Sequence, residues 1–275
     1  GVVISASHNP YEYNGIKVFN AQGYKLPDAM EERVEELILN HAALPVKSGG
    51  ELGRCRNGAR EMHDDYVSHL MDTIGCDLSG LRVMVDCANG AASVTTPLLL
   101  RKLGVKTVAL ECDPEGMPRR ESDPTRENLS DLMFIVPHAH ADLGVAHDSD
   151  GGRAIFVDGR GRYIDGDYMG ALMAERILAD KKGKVVTPIS SSLVLEDIVE
   201  RFGGQVRYTE VGTHSVIRKM IENLAILGVE EDGGIIFPSD CMCRDGGLTL
   251  AKVLEMVVKG IPLADMVDGL PVSCC

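Results

Sequence analysis

Near the start of the chain, Ser5-Ala6-Ser7-His8-Asn9-Pro10 is followed by Asn14-Gly15-Ile16-Lys17. Within ten residues of Ser7 the sequence therefore offers a hydroxyl, an imidazole, amides and an ammonium group. Such a set can carry and transfer a charged group: the hydroxyl bonds it covalently, the imidazole or amine moves a proton, and the cation balances negative charge. Two later stretches supply acid. In His147-Asp148-Ser149-Asp150-Gly151-Gly152-Arg153, two carboxylates two residues apart lie on a chain bent by glycines. Their oxygens can point at one hard cation such as Mg²⁺, and Arg153 adds a fork suited to phosphate. Gly228-Val229-Glu230-Glu231-Asp232-Gly233-Gly234 sets three acidic side chains between glycines, an arrangement able to accept hydrogen bonds from the hydroxyls of a sugar. Each stretch taken alone also reads as an ordinary polar turn, so the weight lies on the combination.

Positioning these loops requires a scaffold, and the hydrophobic pattern describes one. Val2-Val3-Ile4 reads as a buried strand that empties into the Ser7 loop and is stopped by Pro10, which puts Ser7 at a strand's C-terminal end, where open α/β sheets bind ligands. A strand over 17–19 follows. Asp28 can cap a helix over 29–39, with Met30, Val34, Leu37 and Ile38 at helical spacing. Periodicity is lost from about 41 to 60, which marks a boundary. A helix near 62–74, a strand over 81–85, a small-residue turn over 86–93, a helix to about 103 and a strand over 105–110 make a βαβ unit. A Pro-rich loop over 113–124, a helix over 128–138 and a strand over 143–146 continue the alternation. From Asp165 the pattern gives helix 168–179, strand 184–187, helix 192–202, strand 205–210, helix 215–222, strands 225–227 and 235–237, and a last helix over 245–258. Alternation of this kind implies an α/β class built of consecutive α/β domains, with mostly parallel mixed sheets sandwiched by helices. The expected division is 1–58, 59–164 and 165–275.

Composition narrows the function. The 275 residues include 28 basic and 41 acidic side chains, a net charge of -13, which argues against a nucleic-acid groove and asks for a local positive site if the substrate is an anion. No apolar run reaches the length of a membrane helix and no signal peptide precedes the first strand, so a soluble, cytoplasmic protein with no membrane partner is expected. The eight cysteines are scattered apart from Cys241-Met242-Cys243 and Cys274-Cys275, with no Cys-x-x-Cys, and read as thiols rather than a zinc site.

Together the three loops resemble the α-D-phosphohexomutase family, which includes phosphoglucomutases, phosphomannomutases and phosphoglucosamine mutases, and resemble its archaeal members most. Ser5 to Pro10 with Asn14 to Lys17 looks like the family's phosphoserine loop, Asp148 to Arg153 like its metal loop, and Gly228 to Gly234 like its sugar-binding loop. Val85 to Ala91 and Arg126 to Leu129 are also similar to stretches of its second domain. The resemblance implies a reversible exchange of phosphate between the 1- and 6-positions of a hexose, with Mg²⁺ as cofactor and a hexose 1,6-bisphosphate as activator. It implies that Ser7 carries the phosphoryl group and joins Asp148 and Asp150 as a metal ligand. Arg153, His8 and Lys17 match residues beside the reacting oxygens, with Lys17 and His8 both candidates for the general base. Glu230 and Asp232 match positions that hold sugar hydroxyls, and Gly212, Thr213 and His214 a neighbouring loop that orients the substrate, a small sugar phosphate.

Two departures from the family pattern bear on activity. Gly152 stands where the metal loop usually has a third aspartate, which predicts weaker metal binding. The sequence also lacks counterparts of most of the first domain and of the fourth, so weak turnover is expected. A sugar-phosphate-binding protein without catalysis is the main alternative. A serine hydrolase is disfavoured because Ser7 lacks a Gly-x-Ser-x-Gly elbow, and an aspartate-nucleophile phosphatase because Ser149 and the glycines do not match its motif.

Overall fold

The computed structural model describes residues 1–10, 12–40 and 47–271. Its centre is a five-stranded sheet of β3 (Arg82–Asp86), β4 (Lys106–Leu110), β5 (Leu143–Ala146), β6 (Ile155–Asp158) and β7 (Tyr163–Ile164), in the order β4-β3-β5-β6-β7. β3 runs parallel to both β4 and β5, whereas β5-β6-β7 form an antiparallel meander. Alternation along the strands puts side chains on two faces. Val83, Val85, Leu143, Val145 and Phe156 face one core, with Met84, Ala146, Ile155 and Val157 facing another. The first core is closed by α2 (Ala59–Asp72) and α3 (Ala92–Lys102), the second by α4 (Ser130–His138). Phe156 is fully buried, so truncating it to alanine is worth about 3–5 kcal/mol of stability.

A four-stranded sheet follows, made of β8 (Lys184–Pro188), β9 (Gln205–Thr209), β10 (Leu227–Val229) and β11 (Ile235–Ile236) in the order β11-β10-β8-β9. β8 is parallel to β9 and β10, and β11 returns antiparallel. Around it lie α5 (Gly166–Asp180), α6 (Leu193–Arg201), α7 (Thr213–Asn223), α8 (Gly246–Val257) and α9 (Leu263–Asp268). Val185 and Leu227 belong to the same buried cluster as Val83 and Val85, and Leu248, Leu250 and Val253 of α8 join it, so one apolar core runs under both sheets. At the start of the chain β1 (Val2–Ile4) and β2 (Ile16–Val18) form a separate antiparallel pair with Val3 opposite Lys17, followed by α1 (Asp28–Leu39).

The α/β architecture with helices on both faces of mixed sheets is the one the pattern implies. Several local expectations are corrected. Val2, Val3 and Ile4 form a strand, but it is not buried: they are 64, 45 and 70 % exposed, because among the described residues β1 pairs with β2 alone and no layer covers it. Asp28 does not cap α1; Pro27 holds the cap position without a side-chain bond and Asp28 is the first helical residue, where its charge still favours the helix N-terminus. None of the apolar residues of α1 is buried. The strand expected at 225–227 lies at Leu227–Val229, and β6, β7 and α9 were not anticipated. The boundary expected over 41–60 falls partly on 41–46, and Cys274 and Cys275 at the end; both lie outside the described residues. Among the described residues no helix is long and apolar enough to cross a membrane.

Candidate active site

The Ser7 loop connects β1 to β2. Ser7 itself takes a left-handed conformation at φ 54°, an unusual state for a residue with a side chain. Its N–H donates to Ser5 Oγ at 2.9 Å, and Asn9 N–H donates to the Ala6 carbonyl at 3.1 Å. Ser5 N–H bonds the Gly15 carbonyl at 2.9 Å, an approach so close that a Cβ on Gly15 would lie 2.8 Å from the Ser5 oxygen. Glycine is therefore required where the two arms of the turn meet.

The second loop leaves β5 and returns as β6. His147, fully buried, fixes its base: Nδ1 donates to the Arg153 carbonyl at 2.8 Å, which leaves Nε2 to accept from Thr96 Oγ1 at 3.2 Å. Burial holds its pKa below the ordinary value, so the ring is neutral. Asp148 is fully buried too; Oδ1 accepts from Arg153 N–H at 2.9 Å and Oδ2 has no hydrogen-bond partner. Burial, and after it the charge of Asp150, push the Asp148 carboxyl up to about 6. Burial acts on Asp150 as well, but Lys17 Nζ donates to its Oδ2 at 2.7 Å, and that bond and charge hold it well below the carboxylate range.

These two loops are in contact. Lys17 and Ser5 Oγ, the latter at 3.4 Å, both reach Asp150, while the Ser7 carbonyl accepts from Ser149 Oγ and, at 3.3 Å, from Ser122 Oγ. Arg153 is the centre. Its Nη2 donates to His8 Nδ1 at 3.1 Å and pairs with Asp232 Oδ2 at 2.7 Å, and its Nη1 bonds Asp123 Oδ1 at 2.7 Å. Because a guanidinium can only donate, His8 Nδ1 must accept, and the proton of the neutral ring sits on Nε2.

The Gly228–Gly234 loop joins through the same guanidinium. Gly233, at φ 87°, turns the chain so that Ala154 N–H reaches its carbonyl at 3.1 Å. Glu230, buried and with its pKa raised by that burial, accepts from Thr213 Oγ1 at 3.2 Å, while its Oε1 has no hydrogen-bond partner. Thr213 opens α7, and Gly212 before it sits at φ 122°, a conformation that favours glycine. Lys17, Asp150, Gly152, Thr213, His214 and Arg244 line one cavity of about 770 Å³. Ser7, His8, Arg153, Glu230, Asp232 and Gly212 lie around the network rather than in the lining of that cavity.

Several residues of this network escaped sequence reasoning. Arg244 donates to Asp232 Oδ2 at 3.0 Å and stands 3.8 Å from Glu230 Oε1. Burial works to lower its pKa, but Glu230 and Asp232, with Asp148 and Asp150 behind them, raise it. Nothing local marks it: it follows two cysteines in a loop without periodicity. Ser122 and Asp123 sit in the Pro-rich loop, whose position is fixed by Arg120. Arg120 bonds Asp86 at 2.9 Å, the His147 carbonyl at 2.7 Å and the Glu121 and Ser122 carbonyls at 2.9 and 3.2 Å. Gly90, in the turn between β3 and α3, completes the fit, since a Cβ there would collide with the Ser149 backbone.

The donor set fits a hard divalent cation. Asp148 carries an orphaned, buried oxygen whose charge is unfavourable as the site stands, and Asp150 is two residues away. Among the described residues no group of three His, Cys, Asp or Glu side chains is arranged to hold a metal.

Family models of phosphoglucomutase/phosphomannomutase match the chain three times in sequence: α/β/α domain I over residues 1–44, domain II over 64–161 and domain III over 165–273. A phosphoglucomutase/phosphomannomutase of Thermococcus kodakarensis is 40 % identical over 98 % of this chain and 60 % of its own length. A probable phosphoglucosamine mutase of Methanopyrus kandleri is 36 % identical over 98 % of this chain and 60 % of its own. The chain thus spans about three-fifths of the length of these relatives. A solved phosphoglucomutase/phosphomannomutase family protein of Burkholderia thailandensis superposes with a TM-score of 0.81 at 26 % identity, covering 98 % of this chain and 58 % of that one. With three successive domain models matched along it, the chain belongs to the phosphoglucomutase/phosphomannomutase family, the α-D-phosphohexomutases.

Proposed function

We propose that this protein interconverts hexose 1-phosphates and hexose 6-phosphates, with Ser7 as the phosphoryl carrier. The observation that carries this reading is the meeting at Arg153 of the Ser7, Asp148 and Asp232 loops, which lie up to about 225 residues apart in sequence.

In the forward half of the cycle the phosphorus–Oγ bond of phosphorylated Ser7 breaks and a bond forms from phosphorus to a sugar hydroxyl oxygen. The loose transition state gathers charge on the phosphoryl oxygens, and cations nearby stabilise it. Arg153 supplies one such charge, and His8, whose Nε2 carries hydrogen while Nδ1 faces Arg153, supplies a neutral donor. Lys17, held in place by Asp150, is the candidate acceptor for the proton that leaves the sugar hydroxyl, with His8 the competing one. Asp148, Asp150 and the Ser7 phosphate would hold Mg²⁺, which supplies Lewis-acid stabilisation of the transferring group when bound. The bisphosphorylated sugar then turns over and returns its other phosphoryl group to Ser7.

Glu230 and Asp232 accept from two hydroxyls of the ring, with Gly212, Thr213 and His214 orienting it from the α7 side. Because two acceptors on adjacent hydroxyls leave the rest of the ring unread, glucose, mannose and glucosamine phosphates all suit the site. The test is to incubate the protein with a hexose 1,6-bisphosphate and Mg²⁺ and to weigh it. A gain of one phosphoryl group that disappears in Ser7→Ala is expected. No gain in the wild type, or a gain that persists in Ser7→Ala, overturns the assignment.

A further inference from the structure

The loop between β11 and α8 brings two thiols together beside the site. Cys241 and Cys243 are separated by one residue, both are exposed, and their sulfurs stand 3.2 Å apart. The loop is tied at its start by Cys241 N–H to the Phe237 carbonyl at 2.9 Å, and near its end by Arg244, which bridges to Ile236 across the strand edge. A disulfide needs about 2.05 Å, so closing the gap calls for roughly 1.2 Å of movement, within reach of side-chain rotation in an exposed loop.

We propose that Cys241 and Cys243 are a reversible dithiol–disulfide site, oxidised by a peroxide, in the loop that holds Arg244 against Glu230 and Asp232. The proposal rests on thiol chemistry and is independent of the phosphoryl-transfer reading. Either sulfur can donate in the hydrogen bond between them; with Cys243 as donor that bond lowers the Cys241 pKa against burial and the charge of Asp245, and His69 acts in the same direction. Cys241 is then the nucleophile. Its sulfur attacks peroxide, an S–O bond forms as the O–O bond breaks, and Cys241 becomes a sulfenic acid while the other oxygen leaves as water. The Cys243 sulfur attacks that sulfenic sulfur, the S–S bond forms, the S–O bond breaks, and hydroxide leaves with the Cys243 proton as a second water. The two thiols lose two electrons and the peroxide gains them.

The other described cysteines serve as internal controls. Cys55 and Cys76 are exposed, whereas Cys87 is buried and Cys112 half-buried. The consequence for the site is direct: the ring formed by the disulfide ends one residue before Arg244, and Cys243 and Arg244 line the same cavity.

Tryptic cleavage after Lys219 and Arg244 releases a peptide, 220–244, that contains Cys241 and Cys243 and no other cysteine. After treatment with hydrogen peroxide, denaturation and blocking with N-ethylmaleimide, that peptide is expected to be unalkylated and lighter than its reduced form by two hydrogens. Prior treatment with dithiothreitol should restore two alkylated cysteines. In Cys243→Ser, which cannot close the ring, dimedone is expected to label Cys241. Recovery of the doubly alkylated peptide at a peroxide dose that already oxidises Cys55 or Cys76 overturns the proposal. So does its linkage to a different cysteine, or an unlabelled, fully alkylatable Cys241 in Cys243→Ser.

Discussion

Replacing Arg120 by methionine keeps the length of the side chain and removes its charge and its donors. In the wild type the Arg120 and Asp86 side chains are 8 and 9 % exposed and pair at 2.9 Å, with a second contact from Arg120 Nε at 3.0 Å. The same guanidinium bonds three backbone carbonyls of the loops around Ser122 and Asp148. Once it is gone, Asp86 keeps the Ala88 N–H at 2.9 Å but has no cation. Leaving one member of a buried pair unpartnered costs about 3–5 kcal/mol, which at about 2–4 °C per kcal/mol for a domain of this size lowers Tm by roughly 6–20 °C. The loss must depend on pH. Burial already raises the Asp86 pKa and Arg120 pulls it down, so without Arg120 the folded state favours the protonated carboxyl more strongly. A group whose folded pKa lies above its unfolded one contributes stability at low pH that disappears as the pH rises through the folded value, so the deficit of the variant grows from acid to alkaline solution. Thermal unfolding of wild type and Arg120→Met at about pH 5 and about pH 8, with Asp86→Asn added to the variant as a third protein, reads both effects. Asp86→Asn should recover part of the loss at the higher pH and little at the lower. An equal loss at both, or no recovery by Asp86→Asn, would refute the view that Arg120 holds this corner of the site by neutralising Asp86.

Gly152→Asp should tighten Mg²⁺ binding at least about tenfold, about 1.4 kcal/mol, by adding a charged ligand. A Cβ there stands 3.4 Å from Asp150 Oδ1 and 3.9 Å from Arg244 Nε, so the new side chain enters without collision. Calorimetric titration that shows unchanged affinity would mean that Arg244 captures the added carboxylate instead. Asp167→Asn should stabilise the protein by about 1 kcal/mol near neutral pH, well under the ~3 kcal/mol of the full shift because the group is partly solvated. Burial chiefly, with Glu231 and Asp165, pushes Asp167 up to about 6 against the Ser192 N–H, so the native acid favours folding below about pH 4 and loses that contribution as the pH rises through about 6. Denaturation curves at the two ends of that range check the sign; a stabilisation independent of pH would count against it.

The scaffold was legible because its strands are apolar runs bounded by turn residues, and Leu143–Ala146 has the bounds read from that pattern. β6 carried the same signal in Ile155-Phe156-Val157, an apolar run between Arg153 and Gly159 that went unused. The exposed β1 shows the opposite limit: an apolar run states what a strand can bury, while the presence of a covering layer is decided elsewhere. Ser7, Asp148 and Arg153 could be singled out as candidates because each stands in a short polar loop beside an apolar run, and the loops gain weight in combination. Arg244, Asp123 and Arg120 were not, since each acts across more than ten residues of intervening chain through a charge pair that only the folded arrangement brings within reach.

Arg153 faces Asp123 and Asp232 at 2.7 Å each and His8 at 3.1 Å, with Asp148 behind it at 3.8 Å. Both terminal nitrogens of the guanidinium are thus engaged before any anion arrives, while its buried Nε has no hydrogen-bond partner. Under the proposed function, a phosphate that reaches it would exchange places with a carboxylate, and a displaced Asp232, still held by Arg244, could turn to another donor. For Asp232 that donor can be a sugar hydroxyl, so capture of the phosphate at one loop would prime the acceptor at the other. Recognition of the two ends of one molecule becomes coupled through a single side chain, and a ligand bearing only the phosphate or only the sugar would gain less than its share.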